Sequence, residues 1–364
     1  MITVTKPFMP PRAIYQQYLD KIWERQWLTN NGKLVQRLEQ EISNFLGIQQ
    51  CAYVSNGTLA LQMAIKVLDL TGEIITTPFS YVATTSSIVW EGCTPIFADI
   101  DPNTLNIDPQ KIEACITDRT SAILATHVFG NPCDVEAIQN IADRHNLKVI
   151  YDGAHAFGVK YKGESIYDFG DISISSFHAT KLFHTVEGGG IFAKDEAVME
   201  KIRLLRNFGH TSATTFDGVG INGKSSELHA AMGLSVLPFV PDIIERRMKL
   251  AKHYKTQLQN TDVAFPTLMT NTTYNYAYFP ILLPSEAILL ELKATLEAND
   301  IYPRRYFYPS LSSLEYVTAQ STPIADDIAS RVLCLPYFYE LKATNIDTIC
   351  TIIQQIVATN TELC

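Results

Sequence analysis

The chain carries no basic block, no CxxC pair and no internal repeat, and no GxGxxG or Walker pattern stands at the strand-to-helix turn Ser55–Thr58 to support a nucleotide fold. Each absence removes a class of protein. Lys and Arg number 29 against 38 Asp and Glu, a net charge of -9, so nucleic-acid binding has no electrostatic footing. Without a glycine fingerprint at that first strand-to-helix turn, a Rossmann-type oxidoreductase is not supported. The seven cysteines (51, 93, 115, 133, 334, 350 and 364) follow neither disulfide nor metal-ligand spacing. They read as reduced thiols in a cytoplasmic protein, and no bound metal is expected. The opening MITVTKPFMPPR lacks the regions of a secretory signal, and no apolar run has the length of a bilayer span, so no membrane partner is expected.

What is present is an ordinary globular composition: 364 residues, 46% hydrophobic and 18% charged. That length suggests one large domain plus a smaller one. Ile14, Tyr18, Ile22 and Trp23 fall on one helical face, and Leu34, Leu38, Ile42 and Phe45 on another, with the turn Thr29-Asn30-Asn31-Gly32 between them. Short β-rich runs then alternate with helices: AYVS (52–55), EIITT (73–77), TPIFADI (94–100), SAILATH (121–127) and KVIYD (148–152). This alternation predicts an α/β fold with a mainly parallel, doubly wound sheet, whose ligands lie beyond the carboxyl ends of the strands. Residues 225–255 read as helical, with Pro238 and Pro241 kinking or breaking the run. After Phe265 the pattern is that of a small α+β domain: strands over Tyr274–Leu283, Tyr302–Tyr308 and Arg331–Leu335, and helices at SEAILLELKATLEAND, near Ala325 and at the end. The division expected is 1–250, N-terminal helices and large domain, and 251–364, small C-terminal domain.

Three stretches carry candidate chemistry. In DISISSFHATKLFHTVEGGG (171–190), Lys181 follows a strand-like run in a polar loop. Partial burial would leave its amine neutral and able to attack a carbonyl. Ser176 and His178 offer donors for a phosphate, and the glycines after Glu187 allow close backbone approach to a flat ligand. A surface lysine beside a glycine-rich turn fits the same letters. Asp152 ends KVIYD, where a carboxylate could hold a proton on a heteroaromatic nitrogen, with His155 against the same ring; an Asx cap also fits. Ser55-Asn56-Gly57-Thr58 opens a helix after a strand, which is a ready phosphate site or a plain N-cap. Tyr81, His127, Asn222 and the cluster Arg304, Arg305, Tyr306 and Tyr308 are weaker candidates, each with a packing, capping or surface explanation. A phosphate cradle, a carboxylate and a later lysine together are the parts a pyridoxal phosphate enzyme requires.

With WLTNNG, SNGTLAL, TPFSYVAT, YDGAHAFG, SFHATK, EGGG and NGKSSELHAAMG in this order, the chain resembles the DegT/DnrJ/EryC1/StrS family of pyridoxal phosphate-dependent nucleotide-sugar aminotransferases, over about Phe8 to Tyr308. The resemblance implies the aspartate aminotransferase fold (fold type I), with Lys181 as the Schiff-base lysine and Asp152 as partner of the pyridine nitrogen. It implies that Gly57, Thr58, Ser176 and His178 hold the phosphate, that Tyr81 and His155 flank the ring, and that Asn222 reaches the cofactor of a neighbouring subunit in a homodimer with shared active sites. Thr29, Asn30, Lys224, Arg305, Tyr306 and Tyr308 are the matching candidates for substrate contact. The chain departs from the family's frequent NxR at Asn222-Gly223-Lys224, where a point charge replaces a planar fork. Some relatives carry histidine at the lysine position and dehydrate; Lys181 argues for amino transfer. The implied substrates are L-glutamate and a dTDP-4-keto-6-deoxyhexose aminated at C4, for surface glycans such as O-antigen. UDP-2-acetamido-4-keto sugars and 3-keto isomers are rivals, as is a non-catalytic regulator that binds the cofactor.

Overall fold

The computed structural model describes residues 1–361; Cys364 and the end of the 251–364 division lie outside them. Seven strands form the central sheet in the order Ala52–Val54, Gly189–Phe192, Ile172–Ser176, Lys148–Asp152, Thr120–Thr126, Glu73–Thr76, Thr94–Phe97. All neighbours run parallel except Gly189–Phe192, which is antiparallel to both its partners. The fold is α/β of type I, as expected.

These strands form where the sequence offers near-continuous apolar runs, because helices cover both faces of a parallel sheet. Within Thr120–Thr126, Ile123 and Ala125 pack into the core beneath helices Lys33–Leu46, Val135–His145 and Glu227–Val236. Their neighbours Ala122 and Leu124 pack into a second core with helices Gly57–Val67 and Glu196–Leu205. The side-chain period of two thus feeds two hydrophobic layers from one strand. The carboxyl ends of the parallel strands bring Val54, Thr126, Asp152 and Ser176 to one edge of the sheet.

The glycine run behaves differently from its reading as a ligand-facing segment. Gly189 and Gly190 lie inside a buried strand, and a Cβ on Gly189 would stand 2.5 Å from the Asn56 carbonyl oxygen. A Cβ on Gly190 would stand 2.8 Å from the Phe177 ring. The close approach these glycines permit is chain to chain, at the start of the Gly57–Val67 helix.

A third apolar cluster runs from Leu250 to Val357 and joins helices Val240–Leu258, Glu286–Ala298 and Ala343–Thr361 to the antiparallel pair Pro280–Leu282 and Val332–Cys334. Ile2–Thr3 pairs with Ile301–Tyr302, so the first residues of the chain join this C-terminal part. Two expected strands are shorter than their apolar stretches. Tyr274–Leu283 is regular only over Pro280–Leu282, because Asn275 turns inward and its Nδ2 donates to the carbonyls of His155 and Phe157. Tyr302–Tyr308 leaves the extended region at Phe307 (φ 61°). Helix Arg12–Arg25 buries Ile22 but leaves Trp23 67% exposed. The run Glu227–Leu258 is long and apolar enough to cross a bilayer by length and composition, but 61% of its most apolar window is buried in the protein. A 3-10 turn at Leu237–Phe239, with Pro238 inside it and Pro241 just after, also divides it.

Candidate active site

A cavity of about 260 Å³ opens at the carboxyl edge of the sheet. Asn56, Gly57 and Thr58 line it from the start of one helix, Tyr81 from the start of another, and Asp152, His155, Ser176, His178 and Lys181 from the strand ends and the loops beyond them. Arg304, Tyr306 and Phe307 close it from the C-terminal part.

At the helix end, Asn56 Oδ1 accepts from Leu59 N at 2.8 Å and caps the helix. First-turn N–H groups have no partners within the helix, and the dipole adds positive potential there. A Cβ on Gly57 would stand 2.9 Å from Ser176 Cβ, so a side chain would close the space between the helix start and Ser176. The Ser55–Thr58 turn is therefore an N-cap whose unpartnered first-turn amides suit an anion. His178 is exposed at its rim, with Nδ1 2.8 Å from Thr180 Oγ1.

Asp152 lies deeper. Its Oδ2 accepts from Thr84 Oγ1 at 2.7 Å and its Oδ1 from Ala154 N at 3.1 Å. Burial raises its pKa above the usual carboxylate value, against the Thr84 hydroxyl, the Ala154 amide and the charge of Lys181. Lys181 is half-buried, and Nζ donates to the Tyr278 hydroxyl at 3.4 Å. Burial lowers the lysine pKa, with Tyr306, Asp152 and Tyr81 opposing. The amine thus loses its proton at lower pH than an exposed lysine does, which suits a nucleophile. His155 stacks nearly parallel to Phe129 and Phe307, and its Nδ1 is buried without a hydrogen-bond partner. Burial, then the lysine charge, hold its pKa well below the ordinary value, so the ring is neutral.

Other candidates lie elsewhere. His127 is fully buried, stacked on Tyr151 at 4.8 Å, with Nδ1 accepting from Cys133 N at 3.0 Å; it belongs to the core. Arg305 Nη2 donates to Glu286 Oε1 at 2.6 Å and to the Ser330 carbonyl at 2.8 Å, and it stacks on Tyr308, away from the cavity. Arg304 is the guanidinium in the wall, 4.7 Å from the Tyr306 ring centroid. Thr29, Asn30, Asn222 and Lys224 do not line the cavity of their own chain; Lys224 Nζ sits over the Phe208 ring. Sequence reasoning passed over Tyr278, Phe307, Ser80, Thr84 and Thr126. The aromatic run YNYAYF held a signal for Tyr278, whereas buried hydroxyls inside TPFSYVATT and SAILATH look like any others. Among the described residues, no group of three or more His, Cys, Asp or Glu is placed to hold a metal ion.

The donor set matches pyridoxal phosphate: an anion cradle, a buried carboxylate for the ring nitrogen and an amine of lowered pKa for the aldehyde. Fold and cavity together define a fold type I pyridoxal phosphate-dependent aminotransferase. The chain belongs to the DegT/DnrJ/EryC1/StrS aminotransferase family, which it matches over residues 12–354. It is 43% identical over 362 residues to a dTDP-4-amino-4,6-dideoxy-D-glucose transaminase of Shigella dysenteriae, covering 98% of this chain and 99% of that one. A transaminase of the same name from Escherichia coli is 42% identical over 354 residues, covering 94% and 95%. Among solved structures, DesI in the presence of its TDP-sugar product superposes with a TM-score of 0.94 at 31% identity, covering 100% of this chain and 94% of that one.

Proposed function

We propose that this aminotransferase moves the amino group of L-glutamate to C4 of dTDP-4-keto-6-deoxy-D-glucose, giving dTDP-4-amino-4,6-dideoxy-D-glucose and 2-oxoglutarate. The observation that carries the reading is the half-buried amine of Lys181 in one cavity with the buried carboxylate of Asp152. The names of the Shigella and Escherichia relatives support the choice of sugar and carbon.

When bound, pyridoxal phosphate supplies the electron-withdrawing ring that makes the α-proton of an amino acid removable. The protein then has five tasks. Gly57, Thr58, Ser176 and His178 hold the phosphate, with Asn222 of a second copy completing that end in a homodimer. Asp152 holds a proton on the pyridine nitrogen. Tyr81 and His155 flank the ring; a neutral His155 adds no charge to the face it covers. Lys181 would hold the aldehyde carbon, and its Nζ, of lowered pKa, would serve to take the donor's α-proton and to return one to C4 of the sugar. Tyr306 contacts the nucleotide sugar from the cavity wall, with Arg304 in the part first given to Arg305, whose guanidinium is tied down against Tyr308 outside the lining; Thr29, Asn30 and Lys224 reach the sugar from the second copy. We read 1–250 as the cofactor domain and 251–364 as the small domain, to which the strand Ile2–Thr3 is added by its pairing with Ile301–Tyr302. The reaction is placed in the cytoplasm, supplying an amino sugar for surface glycans such as O-antigen.

The test is incubation with L-glutamate and each of three keto sugars: the dTDP-4-keto-6-deoxyhexose, its 3-keto isomer and a UDP-2-acetamido-4-keto-6-deoxyhexose. NMR then identifies the products. An amine at C4 of the dTDP sugar is expected. Product from one of the other two sugars alone overturns the substrate assignment. A cofactor chromophore that persists when glutamate is added points instead to a protein that binds without turnover.

A further inference from the structure

Three buried hydroxyls stand in line behind Asp152. Thr126 Oγ1 lies 3.0 Å from Ser80 Oγ, Ser80 Oγ 2.8 Å from Thr84 Oγ1, and Thr84 Oγ1 2.7 Å from Asp152 Oδ2. All three residues are at most 5% exposed, and Ser80 and Thr126 line the cavity itself. They come from three places in the chain: the loop after strand Glu73–Thr76, the helix Val82–Trp90 and the end of strand Thr120–Thr126.

The direction of the line follows from its last member. An ionised carboxylate accepts and cannot donate, so the Thr84 hydroxyl gives its one proton to Asp152. Thr84 can then only accept from Ser80, and Ser80 in turn accepts from Thr126. Each bond polarises the next, so the last hydroxyl is a stronger donor than an isolated threonine. A protonated Asp152 removes the reason for that order and lets the line reverse.

We propose that Thr126, Ser80 and Thr84 form a one-way hydroxyl relay that keeps Asp152 ionised and its carboxylate plane fixed for the pyridine nitrogen. These are positioning residues, since they act through Asp152. The inference rests on the assignment of Asp152 to that nitrogen. Without the relay, one backbone amide and the charge of Lys181 oppose the burial of this carboxylate; Cys133 and Tyr167, its other titratable neighbours, are held neutral by burial.

The test uses full-length protein with carboxyl-13C aspartate and the variants Thr84→Val, Thr84→Ser and Ser80→Ala. In the cofactor-free protein, Thr84→Val is expected to move the Asp152 titration to higher pH than in the wild type. Ser80→Ala should shift it less, and Thr84→Ser should restore it. Loaded with 15N-pyridoxal phosphate, Thr84→Val should move the ring-nitrogen signal toward the unprotonated position. Losing one charge-assisted hydrogen bond should also weaken cofactor retention about tenfold. An Asp152 titration unchanged in Thr84→Val, or one shifted equally by Thr84→Ser, overturns the relay. If Thr84→Val does not fold, the Ser80→Ala titration decides alone: a shift supports the relay and an unchanged curve overturns it. A ring-nitrogen signal that ignores Asp152→Asn sinks the assignment of Asp152 instead, while the cofactor-free titration still judges the relay.

Discussion

Lys181 and His127 show how burial sets the work a titratable side chain can do. The amine of Lys181 lies at a cavity wall within reach of one hydroxyl, and burial weakens its hold on the proton. Lys181→Ala should fold with an unchanged melting curve yet show no transamination, and borohydride trapping on the wild type should label this residue in a peptide map. Label on another side chain would reject the assignment. His127 is the opposite case, since burial pushes its pKa down to about 3 and it does not line the active-site cavity. The unfolded chain takes up that proton near the ordinary histidine value, while the folded chain refuses it until pH 3 is approached. Stability therefore falls as pH drops from the ordinary histidine value toward 3, by up to about 1.4 kcal/mol per pH unit from this one group. Urea unfolding between pH 7 and 5 should show a shallower slope in His127→Phe, and equal slopes would exclude the linkage. The letters SAILATH left His127 undecided between site and core. They did so because a residue after a strand can face the crevice or the layer beneath, and only tertiary packing settles which. Arg304 and Arg305 are the same problem one residue apart.

At the scale of elements, most of the sheet was legible because central parallel strands must be apolar on both faces, which leaves short unbroken runs such as KVIYD and SAILAT. The glycine run was less so. Its residues serve close packing within the chain, and nothing local separates that from approach to a ligand. Gly189→Ala would force a Cβ to within 2.5 Å of the Asn56 carbonyl oxygen and 2.9 Å of Gly57 N, both backbone atoms. The helix start must move, so the variant should lose about 1–3 kcal/mol in urea unfolding and release cofactor more readily on dialysis. Retention equal to wild type would show that the cradle tolerates the shift. Glu227 makes a related point about helix ends. It is fully buried, and its carboxylate accepts from Leu34 N and Val35 N at 2.9 Å each while Arg25 Nη2 donates to it at 3.2 Å. A carboxylate at a helix N-terminus satisfies orphan amides and the dipole together. Here it also fixes the end of the Trp27–Gly32 turn against helix Glu227–Val236. Glu227→Ala should therefore cost about 3 kcal/mol in urea unfolding, more than an exposed carboxylate would. The motif SELHAAMG contains this residue, but a glutamate in the first turn of a predicted helix reads as a surface charge until the opposing helix end is seen.

For the whole molecule, some of the exposed apolar side chains fall on two segments that also hold Thr29, Asn30 and Asn222, which are absent from the cavity lining. Trp27 (53% exposed) and Leu28 adjoin Thr29 and Asn30, while Phe216, Val219 (80% exposed) and Ile221 adjoin Asn222. Large apolar side chains in that number mark an interface more often than a free surface. In a two-fold dimer one patch covers its own copy, and residues on it can reach across into the partner's cavity. If each site takes Lys181 from one subunit and Asn222 from the other, Lys181→Ala and Asn222→Asp should each be inactive alone yet complement when co-expressed. A hybrid dimer places both lesions in one site and leaves the second intact. Random pairing makes half the dimers hybrid, each with one working site of two, so the mixture should recover about a quarter of wild-type turnover. Sites built within one chain predict no recovery, because the hybrid then carries one lesion in each. Turnover of the co-expressed mixture, set against an equal mixture of the separately purified variants before subunits exchange, distinguishes the two arrangements in a single assay.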